Sequence, residues 1–242
     1  MSVLVFVGPT LSGAETLRCC PGATLAPPIA VGELYALALR RRRPQRVLLI
    51  DGYFERMAAV WHKEIWFALD RGICVYGAAS MGALRAAELA PMGMIGIGAI
   101  YRDFAAGRLN DDDEVAVANL PENHGYAAMS EALVNIRATV DRAIAQQVLS
   151  KRSAAALIIA AQQLHYRERT WPALLANAPQ KFSQWVAQHA VNRKADDARL
   201  ALAAVRKPVA TRERTARARV TKMPATWAMG VLDSLARSPS PS

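Results

Sequence analysis

A serine followed by Met-Gly interrupts a run of small residues, Gly77-Ala78-Ala79-Ser80-Met81-Gly82-Ala83-Leu84-Arg85-Ala86-Ala87-Glu88-Leu89. The apolar stretch Ile73-Cys74-Val75-Tyr76 ahead of it reads as a buried strand, and Met81 to Leu89 has helical spacing. A serine on such a strand-to-helix turn resembles the nucleophile elbow of hydrolases. The first amides of a helix have no partner within it, and the helix dipole adds partial positive charge there. An oxyanion formed by attack of Ser80 would meet the Met81 N–H and a second donor. Gly77, Ala79 and Gly82 suit a sharp turn and close approach of a substrate. The plainer use of the same serine is as a helix N-cap.

A serine nucleophile needs a base. His124, His165 and His189 follow Ser80, but none stands in a context that singles it out. Lys63 differs. It lies in Trp61-His62-Lys63-Glu64-Ile65-Trp66-Phe67, where large apolar neighbours favour the neutral amine. Ser–Lys pairs are an alternative to the Ser-His-Asp triad. The competing use of Lys63 is to extend along a helix edge, or to pair with Glu64 or Asp51. Asn110-Asp111-Asp112-Asp113-Glu114 is a dense acidic run in a basic chain. Its alternate carboxylates suit Mg²⁺, but calcium-loop spacing is absent; a helix or strand start, or a docking surface for a basic partner, is the favoured reading. Gly8-Pro9-Thr10-Leu11-Ser12-Gly13 has P-loop glycine spacing, yet Ala14 stands where the lysine belongs, which excludes nucleotide hydrolysis there. Gly93, Gly96 and Gly98 carry no helix at evident Rossmann spacing. Cys19, Cys20 and Cys74 form no CxxC and no zinc spacing with histidine. Neither metal nor cofactor is expected.

The elements around these residues predict an α/β fold: a mostly parallel sheet in the N-terminal half and an all-helical C-terminal half. Val3–Val7, Arg46–Ile50 and Ile73–Tyr76 read as strands; Val31–Leu39, Met57–Leu69 and Met81–Leu89 read as helices. Further helical stretches are Ser130–Val148, Ser153–Gln163, Phe182–His189 and Ala195–Ala204. The division expected is an α/β core over 1–126, a helical region packed on it over 127–206, and a tail over 207–242. That tail is basic, ends in Ser238-Pro239-Ser240-Pro241-Ser242, and is expected to be poorly ordered. The 242 residues are 52% hydrophobic, which excludes a disordered chain. The net charge of +10 is concentrated at Arg40–Arg46 and again in the tail, without the aromatic-interleaved pattern of nucleic-acid binders. No apolar stretch is long enough to span a bilayer, and the first residues lack the basic start of a signal peptide. With so few cysteines, a cytoplasmic protein that binds neither membrane nor nucleic acid is expected.

In order along the chain, several segments resemble the TfuA family. They are Phe6-Val7-Gly8-Pro9-Thr10-Leu11, Ile50-Asp51-Gly52-Tyr53-Phe54, His62-Lys63-Glu64-Ile65, the Gly77–Leu89 segment, Asp111–Val117 and Val134-Asn135-Ile136-Arg137-Ala138-Thr139. Tyr166–Trp171 and Lys194–Ala198 fit the family's C-terminal half. The resemblance runs over about residues 3 to 204 and leaves out the basic tail. It implies action beside a YcaO enzyme, which activates a peptide amide with ATP for conversion to a thioamide. It implies that sulfur comes from a thiocarboxylated ThiS-like carrier protein, hydrolysed to release sulfide, and that a precursor peptide is met through YcaO. It also implies a Ser–Lys pair, matched here by Ser80 and Lys63, with Met81, Gly77 and Gly82 in support. Asp51, His62, Arg85, Asp111, Asp112, Asp113 and Glu114 are candidate substrate or partner contacts. The other reading is a non-catalytic adaptor that docks YcaO and the precursor peptide.

Overall fold

The computed structural model describes residues 2–53, 58–176, 178–207, 220, 222 and 227–237. Among them, five strands form one parallel sheet: β1 (Val3–Phe6), β2 (Thr24–Ala26), β3 (Arg46–Leu49), β4 (Cys74–Ala78) and β5 (Ile95–Ile97). The helices are α1 (Gly13–Cys19), α2 (Glu33–Leu39), α3 (His62–Asp70), α4 (Met81–Leu89), α5 (Ala99–Ala105), α6 (Leu133–Ala145), α7 (Lys151–Gln163), α8 (Trp171–Leu175), α9 (Gln180–His189), α10 (Arg193–Val205) and α11 (Trp227–Arg237). The fold is α/β, as expected.

The strand order is β2-β1-β3-β4-β5. From β1 the chain goes first to one side, to β2, and then returns to the other, to β3. The loops that follow β1 and β3 therefore part, and a crevice opens where such sheets take their ligands. Phe6 lies beside Leu49, and Leu49 beside Gly77, so the carboxyl ends of β1, β3 and β4 are level.

Side-chain alternation divides the strands between two cores. Val5, Leu48, Ile50 and Tyr76 pack with Ala198 and Leu202 of α10. Phe6, Val47, Leu49 and Val75 pack with Leu34 of α2, Ile65 of α3 and Ala86 of α4. Thus α10, late in the chain, completes the layered α/β core. Helices α6 to α9 enclose a separate core built on Leu133, Ile136, Leu157 and Phe182.

Three local expectations need correction. The helix expected over Met57–Leu69 begins only at His62. Before it, Ala58 accepts the Val31 N–H and Ala59 bridges Ala30, so this stretch is tied to the start of α2 and cannot wind; residues 54–57 lie outside the described residues. The glycines at 93–98 contain β5 and lead directly into α5. Their spacing answers packing: a Cβ on Gly96 would meet the Tyr101 ring at 2.1 Å, and one on Gly98 (φ +102°) the Asp197 carboxyl at 2.3 Å. Most of the tail lies outside the described residues, but Trp227–Arg237 is a helix, against the expectation of poor order. Met229, Leu232 and Ala236 recur at helical spacing on the core formed with α2, Leu232 is fully buried, and Tyr35 Oη donates to Asp233 Oδ1 at 2.7 Å.

Candidate functional site

The crevice begins with Asp51, which follows β3 and is buried. Its Oδ2 accepts the N–H groups of Gly8 (2.9 Å) and Thr10 (3.1 Å), and its Oδ1 accepts the Thr10 hydroxyl at 2.6 Å. The P-loop-like turn thus directs its amides at an internal carboxylate instead of a phosphate. Asp51 is a brace between the loops after β1 and β3.

The Ser80 turn follows β4. Ser80 N–H donates to Ala78 O at 2.8 Å, closing a three-residue turn around Ala79. Ala79 is buried with φ +66°, in the left-handed region that L-residues with a Cβ avoid. The turn survives because α4 is pressed against the sheet. A Cβ on Gly82 would lie 1.8 Å from Leu49 O, and one on Gly77 2.0 Å from Gly82 O. Gly82 N–H donates to Ile50 O (3.2 Å), so this amide is already paired. Gly77 and Gly82 support the turn by allowing contact, while Met81 N–H has no hydrogen-bond partner among the described residues. Ser80 occupies the N-cap position, but its hydroxyl makes no capping bond. It is 2% exposed and opens on the crevice.

The walls of that crevice come from distant parts of the chain: Asp51 and Tyr53 after β3, Asn119, Glu122 and Tyr126 from the loop before α6, and Tyr166 and Arg167 after α7. Arg167 Nε donates to Tyr166 Oη at 3.1 Å and its guanidinium lies over the Tyr166 ring. Among the described residues the buried Tyr126 hydroxyl meets no partner at good hydrogen-bond geometry, although the Tyr53 and Glu122 side chains lie close enough to interact with it. Burial, with Tyr53 and Glu122 beside it, raises its pKa well above the usual phenol range, so it stays protonated. Apart from Ser80 and Asp51, these residues were not singled out as site residues from sequence; they lie far from Ser80 in the chain, and no spacing ties them to it.

Lys63 is the second residue of α3 and half-buried. It is not among the residues lining the Ser80 crevice. Its neighbours in sequence have other work. Glu64 is fully buried and accepts from Gly32 N (2.8 Å), Tyr35 N (3.4 Å) and Trp61 N (2.9 Å), which ties the starts of α2 and α3 together. Burial raises its pKa against the opposing pull of those amides. His62 joins Arg85 and Glu88: Glu88 Oε2 lies 2.8 Å from His62 Nε2 and 2.7 Å from Arg85 Nη1. Burial alone would raise the Glu88 pKa, but hydrogen bonds from His62 and Arg85 outweigh it and leave the carboxyl below its usual range. His62 and Arg85 thus latch α3 to α4 and do not line the crevice.

The acidic run divides. Asp111 and Asp112 are exposed. Asp113 accepts from Arg169 Nη2 at 2.6 Å, and Glu114 takes both Arg137 Nε (3.0 Å) and Nη2 (2.8 Å). Glu114 is 7% exposed, which corrects the expectation of an accessible carboxylate at that position. The Lys194–Ala198 segment holds another charged group near the crevice. Lys194 is buried, its Nζ donates to Val115 O at 2.8 Å, and it lines a second cavity that shares Pro9 and Val117 with the Ser80 crevice. Burial lowers its pKa, while the nearby charges of Asp51 and Glu131 act the other way.

Among the described residues, no cluster of three or more His, Cys, Asp or Glu is placed to hold a metal ion. No helix among them is long and apolar enough to cross a membrane. No curated protein matches the chain. Residues 51–170 match the family model described as TfuA-like protein, a span holding Asp51, Lys63, Ser80, the acidic run, Tyr126 and Arg167. On that match the chain belongs to the TfuA-like family.

Proposed function

We propose that this protein acts beside a YcaO enzyme in peptide thioamidation, hydrolysing the thiocarboxylate of a ThiS-like carrier protein to supply sulfide. The observation that carries the reading is the Ser80 hydroxyl, uncapped on a strained turn and open to a crevice at the carboxyl ends of the strands. A cap would use that oxygen; a nucleophile needs it free.

The chemistry balances without an added oxidant or reductant. The base takes the Ser80 proton as Oγ forms a bond to the thiocarboxylate carbon. The oxyanion turns toward the Met81 N–H. The base returns its proton to sulfur, the carbon–sulfur bond breaks, and hydrosulfide leaves. Water then cleaves the acyl-serine, giving the carrier's carboxylate, one proton and free Ser80. Lys63 is the proposed base. It starts α3, which follows β3 and so begins at the carboxyl side of the sheet; its side chain would have to turn toward Ser80 once the carrier is bound.

Ser80→Ala should lower sulfide release from a thiocarboxylated carrier by about a thousandfold or more, with the melting temperature unchanged. Wild-type release by Ser80→Ala defeats the hydrolase reading. The adaptor reading would then stand, favoured by the exposed carboxylates of Asp111 and Asp112.

A further inference from the structure

Among the described residues, one buried side-chain polar atom meets no partner at good hydrogen-bond geometry, the hydroxyl of Tyr126. It lies at the Ser80 crevice, beside Tyr53 and Glu122, which wall the same space. A buried hydroxyl without a partner opposes folding, and such groups are rare unless a ligand completes them.

The backbone holds this group in place at further cost. Tyr126 has φ +58°, in the left-handed region, directly after Gly125 at φ +65°. Its N–H donates to Pro121 O (3.4 Å), and the flanking bond from Leu120 N–H to Ala127 O (2.9 Å) closes the loop. The ring lies against Gly8 of the brace loop, where an added Cβ would sit 3.6 Å from Tyr126 Cγ and 2.5 Å from Pro28. A strained backbone and an unsatisfied hydroxyl at one residue of a crevice are signs of a site prepared for a ligand.

We infer that Tyr126 is a catalytic residue whose phenol donates a hydrogen bond to the carbonyl oxygen of a carboxyl-type chain end presented to Ser80. It is the second donor beside Met81 N–H, since Gly82 N–H is already paired with Ile50 O. Its raised pKa keeps it a donor across the neutral range. Arg167, on the same wall, faces the negative charge of the chain end. The inference rests on the hydrolase reading for its reaction, but not for its ligand.

The test is Tyr126→Phe in the full chain, read in two ways. With a thiocarboxylated carrier, kcat should fall about a hundredfold with KM little changed, as for loss of one oxyanion donor. The melting temperature should stay level or rise, because the variant removes an unpaired buried group. Unchanged kcat, or a variant that melts earlier or fails to fold, overturns the inference. If the wild-type protein releases no sulfide, the hydrolase reading has failed and binding decides for Tyr126. Calorimetry with a short peptide ending in Gly-Gly carboxylate should then show about tenfold weaker binding to Tyr126→Phe than to wild type, and little binding of the C-terminally amidated peptide. Equal affinity of wild type and Tyr126→Phe, or of carboxylate and amide, overturns it.

Discussion

The crevice around Ser80 and the acidic run at 111–114 both come from segments that stand out in the sequence, yet their polar groups are used in opposite ways. At the crevice, among the described residues, the Ser80 hydroxyl makes no capping bond, the Met81 N–H has no partner, and the Tyr126 hydroxyl meets none at good hydrogen-bond geometry. At the acidic run, Arg169 is fully buried and donates to Ala161 O, Leu164 O, Asp113 O and Asp113 Oδ2, while Glu114 is paired twice with Arg137. Saturated networks hold a structure together, and open donors wait for a ligand. A single class of residue cannot tell the two apart; the hydrogen-bond inventory can.

The sharpest way to break this comparison is to remove Lys63. If it serves Ser80, Lys63→Ala should lose nearly as much sulfide release as Ser80→Ala, and the double variant should be little worse than either. Single-turnover release from a thiocarboxylated carrier measures this. A loss of only a few-fold would mean that another group takes the Ser80 proton and that the crevice is complete without α3.

From the saturated side, Arg169→Met should destabilise the fold by about 3 kcal/mol, because several acceptors would be left buried without partners. Urea denaturation gives the value. Sulfide release per folded molecule should persist, since Arg169 does not line the Ser80 crevice. A cost below about 1 kcal/mol would show that water replaces the arginine there and that the network is less enclosed than its burial implies.

The two regions also differ in how far the sequence discloses them. The Ser80 turn was legible because strand, small residues, serine and helix are contiguous, and the helix Met81–Leu89 has the limits its pattern predicts. The opposite wall was not. Tyr126 and Arg167 reach the crevice through loops whose placement depends on α6 and α7 packing around Ile136 and Leu157. The weak strands β2 and β5 are three residues each, too short for alternation to register. The burial of Lys194 was hidden because a lysine early in a helix reads as surface; it follows from the start of α10 meeting Asn135 of α6 and Val115, a tertiary fact. The bracing roles of Glu64 and Asp51 were likewise hidden, since a carboxylate that ties backbone amides has the same one-letter code as one that binds substrate.

The smallest expected effect sharpens the comparison within the acidic run itself. Asp111 and Asp112 are exposed, while Asp113 and Glu114 are held by arginines, so the run presents two carboxylates outward on a base fixed by the other two. Partial desolvation, followed by the charge and hydrogen bond of the neighbouring Asp111, raises the Asp112 pKa, and the two outward carboxylates lie close together. If the run is a docking surface, replacing both Asp111 and Asp112 by lysine should weaken association with YcaO about threefold to tenfold, chiefly by slowing the on-rate, and the effect should shrink as salt rises. Folding stability should change by no more than about 0.5 kcal/mol, because neither side chain is buried. Surface-plasmon measurements at two ionic strengths separate these parts. Replacing Asp113 by lysine would be a poor test of docking, because it removes the carboxylate that accepts from Arg169 and disturbs that buried network at the same time. Equal affinity for YcaO with Asp111 and Asp112 reversed would assign the whole run to structure, and the contrast between outward and inward carboxylates would carry no function.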